Sequence, residues 1–226
     1  MSLATFRLFV PLSELLAAII GTIYFYKYKH THLKYFLFIL WYIVLTEFTG
    51  WYSSHYNVLG FFDKEGIHYN LWMYNLMYFI FYPAVLWIYS KSINRVVYVK
   101  TIKFFIICYI LISIINWLLI QNFKYEWSEL PSITGSLFLA ISIIFYFMQL
   151  LRSDRIIIYH KKLLFWISTG FLIFYVGSIP FNIKFTEYAL LKGIHNLFLI
   201  VWVLAIIMYL LFAFGFIWSD KEDDID

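Results

Sequence analysis

One cysteine and four prolines are all that this 226-residue chain contains, and only 13% of its residues are charged. A lone cysteine, Cys108, excludes an internal disulfide. It falls inside an apolar run and reads as a small packing residue. So few prolines leave long segments free to run as helices. Charge this scarce cannot coat a soluble domain of such length. The net charge is only +4 and no basic stripe occurs, so no nucleic-acid partner is expected.

What fills the chain instead is apolar surface: 63% of residues are hydrophobic and 24% aromatic. A helix needs about 20 apolar residues to cross a bilayer. Seven runs meet that need, near 8–27, 34–54, 69–90, 101–121, 131–151, 162–182 and 196–218. The fold class expected is an all-α integral membrane protein, a bundle of seven transmembrane helices forming one domain over 1–226. Arg7 before the first run suggests a cleaved signal peptide. Glu14 interrupts that run, however, and Lys27, Lys29 and Lys34 anchor its far end, so the segment is expected to stay.

Basic residues set the orientation. Lys27, Lys29 and Lys34 follow run 1; Lys91, Arg95, Lys100 and Lys103 follow run 3; Arg152, Arg155, Lys161 and Lys162 follow run 5. With Lys221 they place twelve basic residues on one side, against five on the other: Arg7, Lys64, Lys124, Lys184 and Lys192. The lysine-rich side is expected to be cytoplasmic, with the amino terminus outside. Localisation is expected in a membrane, the inner membrane of a bacterium.

Runs 1–3 resemble runs 5–7. Gly66-Ile67-His68 precedes run 3, and Gly193-Ile194-His195 precedes run 7. The same offset pairs Gly50 with Gly177 and Lys34 with Lys161. A 3+1+3 duplication is expected, with repeats 8–92 and 131–219 joined by a linking helix at 101–121. Both halves would share one orientation about an axis along the membrane normal.

Charge inside hydrocarbon is costly, so intramembrane acids direct attention to function. Glu14 and Glu47 each lie about two turns from the outer end of their helix, roughly 10 Å down at 1.5 Å per residue. Glu14, Ala17, Ala18 and Gly21 share one face, and that stripe of small residues should turn Glu14 into the bundle. Glu47, Gly50, Trp51 and Ser54 share a face of run 2. The bland role for either acid is a carboxyl bonded to a carbonyl or a Tyr hydroxyl.

Further polar groups cluster toward the outside, whereas the inner part of run 7 carries only Tyr209. An outward-facing cleft is expected, with Glu14, Glu47, Asn70, Tyr74, Asn75, Tyr175, His195 and Asn196 as ligand-binding residues. Such a cleft suits binding or sensing of a small molecule or lipid, acting through a partner protein in the membrane or cytoplasm. A small-solute or proton-coupled transporter, an outer-leaflet lipid enzyme and a structural subunit are the alternatives.

No catalytic set is legible. Run 7 has no lysine, which excludes a retinal Schiff base, and no cofactor is expected. His55, His68 and His195 fall on the outer side, but none has zinc-site spacing, so no metal is expected. His30, His32 and His160 lie at the opposite end. The remaining Tyr and Trp residues read as interfacial belts against membrane lipid.

Overall fold

A computed structural model describes residues 8–152, 156–182 and 195–221. Among these the chain forms seven α-helices: α1 (Phe9–Ile23), α2 (Lys34–Tyr56), α3 (Leu71–Ser92), α4 (Val96–Leu119), α5 (Glu129–Leu151), α6 (Leu163–Asn182) and α7 (His195–Trp218). Without water, a backbone must satisfy its own N–H and C=O groups, and a helix does so within one segment. Helices α2, α3, α4, α5 and α7 are long and apolar enough to cross a membrane. Helix α1 and the Leu163–Ser178 part of α6 are apolar but shorter. The chain is thus an all-α, multi-pass protein of membrane type.

Two boundaries and one added element differ from those expected. Helix α1 ends at Ile23, and a short 3-10 turn, Phe25–Lys27, follows it. The Tyr28 hydroxyl donates back to the Gly21 carbonyl and folds the chain at this point. Helix α4 begins at Val96, well before residue 101. Extended backbone at Arg95 starts it, and Lys100 and Lys103 are exposed on its first turns, where long stems let the ammoniums reach water. Between α2 and α3 lies a hairpin that the sequence did not announce: β1 (Phe61–Phe62) pairs antiparallel with β2 (His68–Tyr69), Phe61 opposite Tyr69. Asp63 Oδ1 accepts the N–H groups of Glu65 and Ile67, and Gly66 supplies the positive φ of 78° that closes the turn.

The helices pack as a ring. Each of α1, α2, α3, α5, α6 and α7 contacts the next, and α7 returns to α1. Helix α4 sits outside, against α3 and α5. It is accordingly the most exposed span, with Leu118 and Leu119 open to the surroundings. Small residues let the ring close. A Cβ on Gly21 would come within 2.9 Å of the Phe216 ring, and one on Gly170 within 3.1 Å of the Met208 carbonyl. Serine and threonine hydroxyls mostly donate to their own helix four residues back, as Thr22 does to Ala18 and Ser113 to Tyr109.

The centre of the ring is filled by phenylalanine. Phe36 from α2, Phe81 from α3, Phe171 from α6 and Phe212 from α7 are all buried. Phe36 meets Phe171 and Phe212 edge-on at 5.8 and 5.2 Å between centroids, and Phe171 meets Phe81 and Phe212 at 5.8 and 5.0 Å. Toward the lysine-rich end, Tyr89 of α3 shares a 2.7 Å hydrogen bond with Ser168 of α6. There Lys27 reaches across to cap α7, donating to the carbonyls of Ile217 and Ser219 at 2.7 Å each. Burial pulls the Lys27 ammonium below its ordinary pKa, opposed by the nearby Asp220 carboxylate.

Candidate functional site

The opposite side of the phenylalanine layer is polar. Glu14 is held on α1 by the expected face: Glu14, Ala17, Ala18 and Gly21 are all buried, and Glu14 is only 2% exposed. Its Oε1 has no hydrogen-bond partner. The Tyr209 hydroxyl of α7 lies within polar reach of the same carboxyl, and Glu47 of α2 is close enough to interact electrostatically with both. The two acids therefore lie within electrostatic range of one another. Tyr209, the single polar group in the inner part of run 7, is the residue that faces them.

Helix α2 presents a face rotated from the expected one. Thr46, Gly50 and Ser53 are buried and Glu47 is half-buried, whereas Trp51 and Ser54 point outward. Trp51 stacks on the His55 ring at 5.5 Å instead of lining the interior. Gly50 has a specific job. A Cβ there would fall 2.3 Å from the Tyr74 hydroxyl. Only glycine lets Tyr74 lie against α2 and extend toward Glu47 Oε2, a long contact at 3.5 Å.

Tyr74 begins a continuous run of phenols. Tyr78, one turn further along α3, lies within electrostatic range of Glu47 and Tyr74, and its carbonyl accepts the Tyr109 hydroxyl at 3.0 Å. It stacks on Tyr82 at 5.7 Å, and Tyr82 approaches Tyr175 of α6 at 6.0 Å. Tyr175 in turn lies within electrostatic range of Tyr78 and Tyr209. Trp127, from the loop before α5, meets Tyr78 edge-on at 5.3 Å and lies near Tyr74 at 6.5 Å. Glu14, Tyr175 and Tyr209, all buried, and the half-buried Glu47, Tyr74 and Tyr78 thus form one polar layer above the phenylalanines. Tyr82 carries no signal in the sequence pattern. It is anchored to α5 by Ser136 Oγ at 2.9 Å, and Gly135 leaves room for its ring.

Two expected ligand residues spend their polar groups on the fold. Asn70 donates through Nδ2 to the Gly50 carbonyl and to Ser54 Oγ, tying α3 to α2. Asn75 is 2% exposed. Its Nδ2 donates to the carbonyls of Phe123 and Glu126, both at 2.9 Å, and its Oδ1 accepts the Ser128 N–H. His195 and Asn196 open α7, but their side chains lie outside the described residues. So does the segment before α7 that echoes Gly66-Ile67-His68. His68 itself packs in the hairpin against Phe62 and beside Gly60. Among the described residues no three His, Cys, Asp or Glu side chains are grouped to hold a metal.

No protein-family model, curated protein or solved structure matches the chain.

Proposed function

We infer that the chain is a seven-helix membrane module that binds a small solute in the polar layer, from the side opposite its lysine-rich end. The observation that carries this reading is Glu14 Oε1, buried and without a hydrogen-bond donor. Leaving such a group unsatisfied costs roughly 1–3 kcal/mol, and more for a charged one. A solute that brings an N–H donor or a positive charge relieves that cost. The surrounding phenols and Trp127 offer ring faces, which attract a cation through their quadrupoles. A small ammonium or amidinium solute is the best match.

All seven helices span the membrane in this reading, with the lysine-rich end cytoplasmic by the positive-inside rule. The membrane is the inner one of a bacterium. The four central phenylalanines favour a site that opens to one side over a through-path, and hence binding and sensing through a partner over transport. Native mass spectrometry of the detergent-purified protein with a panel of alkylamines and guanidines tests the reading. A retained mass that disappears in Glu14→Gln and Glu47→Gln supports it; no amine adduct in any sample overturns it.

One observation favours transport as a second reading. The contact order α1–α2–α3–α5–α6–α7 has the two-fold pattern that a 3+1+3 duplication would produce, with α4 outside as the link. Gly50 packs on the following helix α3, and its repeat mate Gly177 packs on the following helix α7. Paired halves of this kind are common in transporters that rock about a central site. Amine uptake into proteoliposomes, lost in Glu47→Gln, would decide for transport.

A further inference from the structure

A second feature of the molecule lies on its outer surface, away from the polar layer. Between α2 and α3, toward the lysine-rich end, runs an apolar groove of about 380 Å³. Tyr35, Phe38 and Tyr42 form one wall and Ile80 and Trp87 the other, with Ala84 on the α3 side. Phe38 and Ile80 are exposed, so the groove opens sideways into the membrane. Its mouth is charged. Lys34 lies over the Tyr35 ring at 5.2 Å, Lys91 lies over the Trp87 ring at 5.8 Å, and the two rings meet edge-on at 5.2 Å. Neither lysine has a carboxylate partner among the described residues. His32 is tied to Ser92 at the same end by a 2.7 Å hydrogen bond.

We propose that this groove holds one acyl chain of an anionic phospholipid, whose phosphate sits between Lys34 and Lys91. Length fits the occupant. From Lys34 to Tyr42 is roughly 12 Å at 1.5 Å per residue, most of the ~15 Å depth of one leaflet's hydrocarbon. Charge fits as well, because the two ammoniums have no carboxylate partner among the described residues and stand at the lysine-rich end, where headgroup phosphates lie. The groove is apolar along its length, so it selects a chain but no headgroup; the lysines supply that selection. The inference depends only on α2 and α3 spanning a membrane and is independent of the solute site.

The test uses the full chain in detergent, with equimolar phosphatidylglycerol and phosphatidylcholine added, and native mass spectrometry to count bound lipids. The wild-type protein retains phosphatidylglycerol preferentially. Juxtamembrane lysines contribute about 1 kcal/mol each toward anionic lipid, which is roughly fivefold in affinity. Lys34→Gln and Lys91→Gln should each reduce the preference about fivefold. Ala84→Leu, which narrows the groove and leaves both lysines in place, should reduce lipid retention of either class. Lys100→Gln with Lys103→Gln, equally basic positions on α4, should leave the preference unchanged. An unchanged preference in both Lys34→Gln and Lys91→Gln overturns the proposal. An equal loss in the α4 variant also overturns it, because the effect would then be generic attraction to a basic end. Undiminished retention in Ala84→Leu removes the groove from the site.

Discussion

Replacing Asn75 with alanine separates a ligand residue from a structural one. Asn75 makes three hydrogen bonds from a buried position: two donations to the Phe123 and Glu126 carbonyls and one acceptance from the Ser128 N–H. At roughly 1 kcal/mol net per bond, the loss is about 3 kcal/mol. Stranding the Ser128 N–H, which is also buried, adds to it by about 1 kcal/mol or more. The better helix propensity of alanine returns roughly 0.6 kcal/mol, and water entering the loop returns some more. A net loss of about 2–4 kcal/mol corresponds to a melting point lower by roughly 5–12 °C for a chain of this size. Tryptophan fluorescence during thermal unfolding in detergent is a suitable assay. Trp117 donates to Ser128 Oγ at 2.7 Å and so reports on the same loop. Asn75→Asp keeps the acceptor for Ser128 but turns a carboxylate toward two carbonyls, so it should be at least as damaging as Asn75→Ala. A melting point within about 1 °C of wild type for Asn75→Ala would refute the staple and return Asn75 to the ligand site.

Three further outcomes follow from the packing. Gly50→Ala should displace the Tyr74 hydroxyl and lower the melting point, and adding Tyr74→Phe should restore most of it; a double mutant no better than the single one counts against the close approach. Lys27→Met removes the cap on the α7 carbonyls and should cost about 1–3 kcal/mol, read as a lower melting point that Lys27→Arg partly recovers. Glu14→Leu replaces a carboxyl with an unpartnered oxygen by an apolar group of similar size, so it should match or exceed the wild-type melting point while losing solute binding. A sharp destabilisation by Glu14→Leu would mean that the carboxyl serves the fold.

Helix positions were legible because each depends on a run of apolar residues, and the small-residue stripe of α1 placed Glu14 correctly for the same reason. The face of α2 was harder to read. Nearly every residue around that helix is apolar or aromatic, so periodicity does not single out a buried side, and Trp51 went outward to stack on His55. The roles of Asn70 and Asn75 were hidden because their partners are main-chain carbonyls in other segments, which leave no trace in side-chain pattern. Tyr82 gave no signal among 20 tyrosines. Its importance comes from Gly135 and Ser136, residues about fifty positions away. The hairpin at Phe61–Tyr69 leaves no strand pattern in the sequence, although Asp63 and Gly66 supply its turn chemistry, because its strands are only two residues each.

The four central phenylalanines also shape the electrical profile across the molecule. A dry aromatic layer carries the steepest part of any membrane potential, and the groups beyond it lie closer to the potential of the solution on their own side. Carrying one elementary charge across the whole potential is worth about 2.3 kcal/mol per 100 mV. A cation that stops beside Glu14 and Glu47, short of Phe36 and Phe171, crosses only a fraction of that drop. Occupancy of the polar layer would then follow the solute's concentration and stay nearly the same whether or not the membrane is energised.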